Sequence, residues 1–343
     1  REAEGWRVGL FDITELQAHY TGGMALPEAV NRFLADAETR FDYGHVLLVG
    51  GDSYDYTDNL GLGSLSFIPT HYAPTRFIEH TPADALLADL NGDGLSDKAL
   101  GRWPVRSRGD LDAIVEKTLG WPEIANPQSA IWVTDSEDAD SGSFVAQAER
   151  MIAPLVQAGW DEQQLDHVFF AEVAQRPGAS RADSARMDLF DQLEQGRALT
   201  GFVGHGSAAM WTFQGLLTPD DLKDLYNEGN PTLIGTLTCY TSYFVSPYSD
   251  SVAHRWMNGY REDATGARIE GVPNGSVAIH GAATLSRYTQ NEMYARTVLE
   301  AQLQGMTLGQ AVEAGRRAAR DRAMPDLVIN WTLLGDPTLS LRR

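Results

Sequence analysis

Cysteine is nearly absent from this sequence of 343 residues: Cys239 is the only one. A single thiol excludes an internal disulfide, so bonding says nothing about the redox compartment. Positive charge is scarce as well. Lys and Arg number 27 against 47 Asp and Glu, a formal net charge of −20, which argues against nucleic acid or an anionic membrane as partner. No apolar run reaches the roughly 20 residues that a membrane-spanning helix needs. No signal peptide is visible, and the first residue is Arg1 rather than Met, so removal of a targeting segment is the expectation. What remains is ordinary for a globular protein, 43% hydrophobic and 22% charged, with length for one large or two modest α/β domains.

The most informative stretch is 199–244. It reads LTGFVGHGSAAMW, then a polar run TPDDLKDLYNEG, then PTLIGTLTCYTSYF. The apolar runs 200–203 and 232–237 have the length and residue types of buried parallel strands. Thr218 and Pro219 predict a helix start between them, with a capping residue and proline at N1. A βαβ unit with a right-handed crossover leaves both strand ends on one sheet edge, where such sheets place their chemistry. His205 ends the first strand and Cys239 the second. The glycines around His205 allow close backbone approach and free the Gly206 N–H to point outward. An imidazole and a thiol are therefore predicted to face each other. The blander alternatives are a small buried hydrophobe at Cys239 and a turn residue at His205.

The G-H-G-S-x-x-x-W of 204–211, followed by an apolar strand ending in Cys239, resembles the gingipain family of cysteine peptidases. LLVGGDSYDY at 47–56, DLNGDGLSDKALGRWPV at 89–105 and LLGDPTLSL at 333–341 extend that resemblance over nearly the whole chain, in order. It implies a caspase-like α/β/α sandwich, with mostly parallel sheets in two subdomains, and peptide-bond cleavage by a Cys-His dyad at Cys239 and His205. It also implies a secreted, cell-surface or periplasmic setting, a peptide or protein substrate, and a precursor with further domains. Gly206 and Cys239 N–H groups are the expected oxyanion donors. Asp135, at the end of a predicted strand, is a candidate carboxylate for orienting His205, or a turn aspartate. Trp211, Tyr240, Arg287 and Tyr288 are the candidate substrate-binding residues. Relatives that select basic residues use an acid in the segment matching 143–145, which here is Ser143, Phe144 and Val145, so strict Arg or Lys specificity is not expected. His280, followed by Gly281, is the rival histidine; it lacks the flanking pattern and reads as a pocket or core residue.

Taken in order, 6–13 (WRVGLFDI) reads as a strand, and the family's strand and helix before this point are not in the sequence. Pro27 opens a helix with Val30, Phe33, Leu34 and Ala37 at helical spacing. After a strand at 45–50, residues 53–81 read as a long surface excursion rich in Gly, Tyr, Pro and Thr. The loop DLNGDGLSD at 89–97 places Asp89, Asn91, Asp93, the Leu95 carbonyl and Asp97 at calcium-loop positions, with Gly94 at the turn. Leu100 stands where the bidentate Glu belongs, so a structural Ca2+ and a side-chain-stabilised turn are both open readings; the family resemblance favours calcium. Trp121-Pro122-Glu123 and Asn126-Pro127 mark the domain boundary. The expected division is 1–121, an N-terminal α/β subdomain, and 122–343, the catalytic one. Beyond the boundary, helices and strands alternate through 343. Two functional alternatives remain at this stage: a sortase-like transpeptidase of the same family, or a calcium-dependent binding or assembly module with an inert dyad.

Overall fold

Short runs such as AIWVT, LTGFV and TLIGTL are apolar on both faces, so they need cover on both sides. The computed structural model, which describes residues 1–138 and 141–341, provides that cover. Its strands are β1 (His45–Val49), β2 (Tyr72–Ala73), β3 (Thr81–Pro82), β4 (Ala99–Trp103), β5 (Ala130–Thr134), β6 (Leu165–Phe169), β7 (Leu199–Val203), β8 (Thr232–Leu237), β9 (Tyr260–Glu262), β10 (Arg268–Glu270), β11 (Ser276–Ala282) and β12 (Trp331–Gly335). The helices are α1 (Ile13–Thr21), α2 (Glu28–Glu38), α3 (Arg108–Gly120), α4 (Phe144–Gln157), α5 (Arg181–Glu194), α6 (Val252–Met257), α7 (Tyr288–Leu303), α8 (Leu308–Asp321) and α9 (Pro325–Asn330). Local signals explain many starts. Ser107 with Asp110, Ser180 with Asp183 and Thr307 with Gln310 form capping boxes at α3, α5 and α8.

Eight strands form one sheet in the order β1-β4-β12-β11-β8-β7-β5-β6. Neighbours run parallel except β11 and β12. Side chains alternate between two cores. Ala130, Trp132, Leu199, Val203, Leu233 and Leu237 face α4, α7 and α8, whereas Ile131, Val133, Phe202 and Ile234 face α5 and α6. Strands from both sides of residue 121 therefore share one sheet. The seam lies between β4 and β12, where Leu334 and Arg102 are the single registered pair. Glycine is needed there: a Cβ on Gly101 would stand 2.2 Å from the Gly335 carbonyl oxygen.

Three expectations are corrected. No strand forms at 6–13, because Val8, Leu10 and Phe11 are exposed with no strand beside them, and Asp12 instead caps α1 by accepting the Thr14 N–H at 2.8 Å. The crossover from β7 to β8 carries a 3-10 turn, Pro219–Asp224, in place of an α-helix. The 53–81 excursion is anchored rather than superficial, with Ser53, Asp55, Ile68, Thr70 and Ala73 buried. Its anchor is Arg102, which is fully buried and pairs with both Asp84 oxygens at 2.7 Å. The same guanidinium donates to the carbonyls of Gly50 (2.7 Å) and Ile68 (2.9 Å) and lies over the Phe244 ring. One side chain thus ties β4 and the excursion to the loop that follows Cys239.

Candidate active site

The ladder between β7 and β8 pairs Val203 with Leu237. His205 and Cys239 each lie two residues beyond that pair, so parallel register alone brings them to matching places on one edge. The glycines make the approach possible. A Cβ on Gly204 would stand 2.4 Å from Asp135 Cβ, and one on Gly206 would stand 2.7 Å from Thr238 Oγ1. The loop after His205 folds back on itself through Ser207 N–H to the Met210 carbonyl, Thr212 N–H to the His205 carbonyl, and Trp211 N–H to the Leu217 carbonyl. Thr212 adopts φ 60° to close it.

Trp211 was expected to line the substrate site, and its position corrects that. It is fully buried, stacked on Phe202 with centroids 4.4 Å apart, and so supports the loop from beneath. The His205 ring is held at 5.5 Å by the edge of Phe144 and covered by Phe213, 4.9 Å away and largely exposed. Asp135, the expected ring partner, is buried and spends its carboxylate on backbone: the Ser136 N–H at 2.7 Å and the His205 N–H at 3.2 Å. Burial pushes its carboxyl up, against those N–H bonds. The ring meets Asp138 instead, with Nε2 2.5 Å from Oδ2 and 3.2 Å from Ser141 Oγ. Asp138 and Ser141 escaped the sequence reading because several acids and serines crowd that turn. Asp140 of the same run lies outside the described residues.

Tyr240, directly after Cys239, holds the strained φ of 57°, and its N–H donates to the Thr284 carbonyl at 3.1 Å. The turn presents Cys239 Sγ to Ser286, whose N–H lies 3.4 Å away. No hydrogen bond joins Sγ to His205. Among the described residues, no acceptor takes the N–H of Gly206 or of Cys239. Tyr288 opens α7, partly exposed, and a Cβ added at Gly142 would stand 3.9 Å from its ring. Arg287 is turned away onto Phe77, 5.5 Å from the ring centroid. His280 sits inside β11, facing Gly235 and Trp331, and burial pushes its imidazole down to about 4. It belongs to the core.

The loop 89–97 is held by its own hydrogen bonds. Asp89 accepts the N–H groups of Gly92, Asp93 and Gly94, and Asp97 accepts those of Leu90 and the Asn91 side chain. Asp93 takes the Leu95 N–H and pairs with Arg320 at 2.8 Å. The donor set is hard oxygen, as calcium requires, but the arrangement does not fit a cation as it stands. Among the described residues, no group of three or more His, Cys, Asp or Glu side chains is placed to hold a metal.

The architecture finds parallels among solved structures. The Arg-specific cysteine proteinase gingipain R (RgpB) superposes with a TM-score of 0.72 at 18% identity, over 99% of this chain and 76% of that one. The complex of the Porphyromonas gingivalis RgpB pro- and mature domains gives 0.71 at 18% identity, over 96% and 76%. A further structure described as a protease gives 0.69 at 15% identity, over 93% and 70%. No curated protein matches the chain. The fold is thus the caspase-like fold of gingipains, and the molecule is a cysteine peptidase. The model of peptidase family C25 matches residues 1–342, and the chain belongs to that family. Among the described residues, no helix is long and apolar enough to cross a membrane.

Proposed function

We propose that the protein hydrolyses peptide bonds through Cys239 and His205. The register of β7 on β8 supports the proposal, since His205 and Cys239 each follow the Val203–Leu237 pair by two residues along parallel strands. Cys239 attacks the scissile carbonyl as thiolate, and the thiol proton passes to His205. Asp138 holds the imidazole at Nε2, leaving the other nitrogen for the thiol and then for the leaving amine. The N–H groups of Gly206 and Cys239, uncommitted among the described residues, receive the developing oxyanion. Water attacks the acyl-enzyme, releases the acid and returns the proton to sulfur. Cys239→Ala and His205→Ala are each expected to abolish cleavage of a peptide library without lowering the melting temperature. Turnover by either variant refutes the assignment, and a product joined to an added amine identifies a transpeptidase.

The residue before the cut is proposed to be uncharged. A basic side chain buried without a partner is costly, and two acids that loops could have supplied are committed. Asp250 pairs with Arg106 and Arg255, and Glu292 pairs with Arg150 through both oxygens. Ser143 caps α4, Phe144 is buried against His205, and Tyr288 and Phe213 offer apolar surface. An arginine substrate cleaved more than about 100-fold faster than its leucine match, roughly 2.7 kcal/mol, overturns this.

Calcium at 89–97 remains a proposal about stability alone, because Asp93 must exchange Arg320 for the ion. Calcium should raise the melting temperature, and Arg320→Ala should enlarge the rise. Equal melting in calcium and in EGTA leaves the loop a hydrogen-bonded turn. A secreted, cell-surface or periplasmic setting travels with the family likeness and is checked by fractionating the producing cells.

A further inference from the structure

The sulfur of Cys239 is held by a single neighbouring residue. Three groups of one residue, Ser286, surround it: the N–H at 3.4 Å, the carbonyl oxygen at 3.5 Å and the hydroxyl at 3.8 Å. The segment carrying Ser286 is itself fixed by two buried asparagines. Asn330 accepts the Thr284 N–H at 2.7 Å and donates to the Leu285 carbonyl at 2.8 Å. Asn291, 1% exposed, donates to Ser286 Oγ at 2.8 Å. With that lone pair occupied, the Ser286 hydroxyl can aim its proton at two acceptors, the Thr238 carbonyl at 3.3 Å or Cys239 Sγ.

We propose that Ser286, steered by Asn291, is a positioning residue that cradles the Cys239 thiol and then stabilises its thiolate; this rests on the cysteine-peptidase reading. The neutral thiol donates to the Ser286 carbonyl. Once the proton leaves for His205, the N–H and the swung hydroxyl both donate to the anion. Hydrogen bonds to an ionised acceptor are roughly twice as strong as neutral ones, so the cradle favours the charged form. The hydroxyl changes partner during each turnover, from Thr238 to sulfur and back.

The test compares wild type with Ser286→Ala, which removes the hydroxyl, and Ser286→Pro, which removes the N–H. Alkylation of Cys239 by iodoacetamide is followed against pH, and kcat and KM are measured on one peptide. Ser286→Ala should move the acid limb of alkylation up by about half a pH unit and lower kcat about threefold, with KM unchanged. Ser286→Pro should move the limb further. Should the proline variant fail to melt cooperatively, Asn291→Leu takes its place and should move the limb in the same direction. Acid limbs that coincide with wild type in the folded variants overturn the proposal. If wild type alkylates normally but cuts no peptide, the peptidase reading fails, and the alkylation limbs still decide the role of Ser286.

Discussion

Asp138 and Asp135 are close in sequence yet should fail in opposite ways when converted to Asn. Asp138 contacts the His205 ring, so its charge acts on the group proposed to carry the proton. A hydrogen bond to a charged partner contributes about 1.5–3 kcal/mol. His205 and Asp138 are 34% and 39% exposed, so solvent screening roughly halves that, to about 0.75–1.5 kcal/mol. Asp138→Asn is therefore expected to lower kcat about 4- to 13-fold with little change in KM. Asp135 instead holds two backbone N–H groups in a buried place. An amide accepts one of them and turns its own NH2 on the other, costing about 1–3 kcal/mol of stability. Steady-state kinetics on a quenched peptide, beside thermal melting of both variants, reads the two effects apart. Wild-type kcat in Asp138→Asn, or a larger kcat loss in Asp135→Asn at unchanged melting, refutes this division of labour.

Arg102→Met should destabilise the protein by about 3–5 kcal/mol in urea titration, because Asp84 is left buried and unpaired; a loss under about 1 kcal/mol would show that water enters to replace the guanidinium. His280 makes stability depend on pH with a definite sign. Its imidazole lies at about 4 in the fold against 6.5 ordinarily, so above 6.5 it is neutral in both states. As pH falls from 6.5 to about 4 only the unfolded chain takes the proton, and about 3 kcal/mol of stability drains away. His280→Gln should remove that part of the slope, and an unaltered slope assigns it to other groups.

The sequence made the central strands legible because their signal is local and redundant. β5 is apolar at four of its five positions and β8 holds only small or apolar residues, all buried, so tertiary packing has nothing to override. The matching ends of β7 and β8 followed from strand type and the glycines around His205. What was not legible depends on neighbours distant in sequence. Residues 6–13 alternate like a strand but have no strand beside them, and a strand cannot stand alone. Trp211 reads as a pocket aromatic until Phe202 and Trp256 are seen to enclose it. Ser286 carries no mark at all, because its role arises only where β11 returns beside Cys239.

A peptidase lives among copies of itself, and the placement of the proposed pair, His205 and Cys239, decides what self-cleavage can do. A protease needs several residues of extended, open chain, so attack falls on segments that open without the rest. Residues 7–11 and the hairpin of β9 and β10 are of that kind: the former are exposed, and all three residues of β10 are exposed. β7 and β8 lie inside the sheet, flanked by β5 and β11, and their amides open only when the sheet does. Nicks therefore accumulate at the rim while His205 and Cys239 stay in register, so a preparation that shows fragments on a denaturing gel keeps its activity in solution.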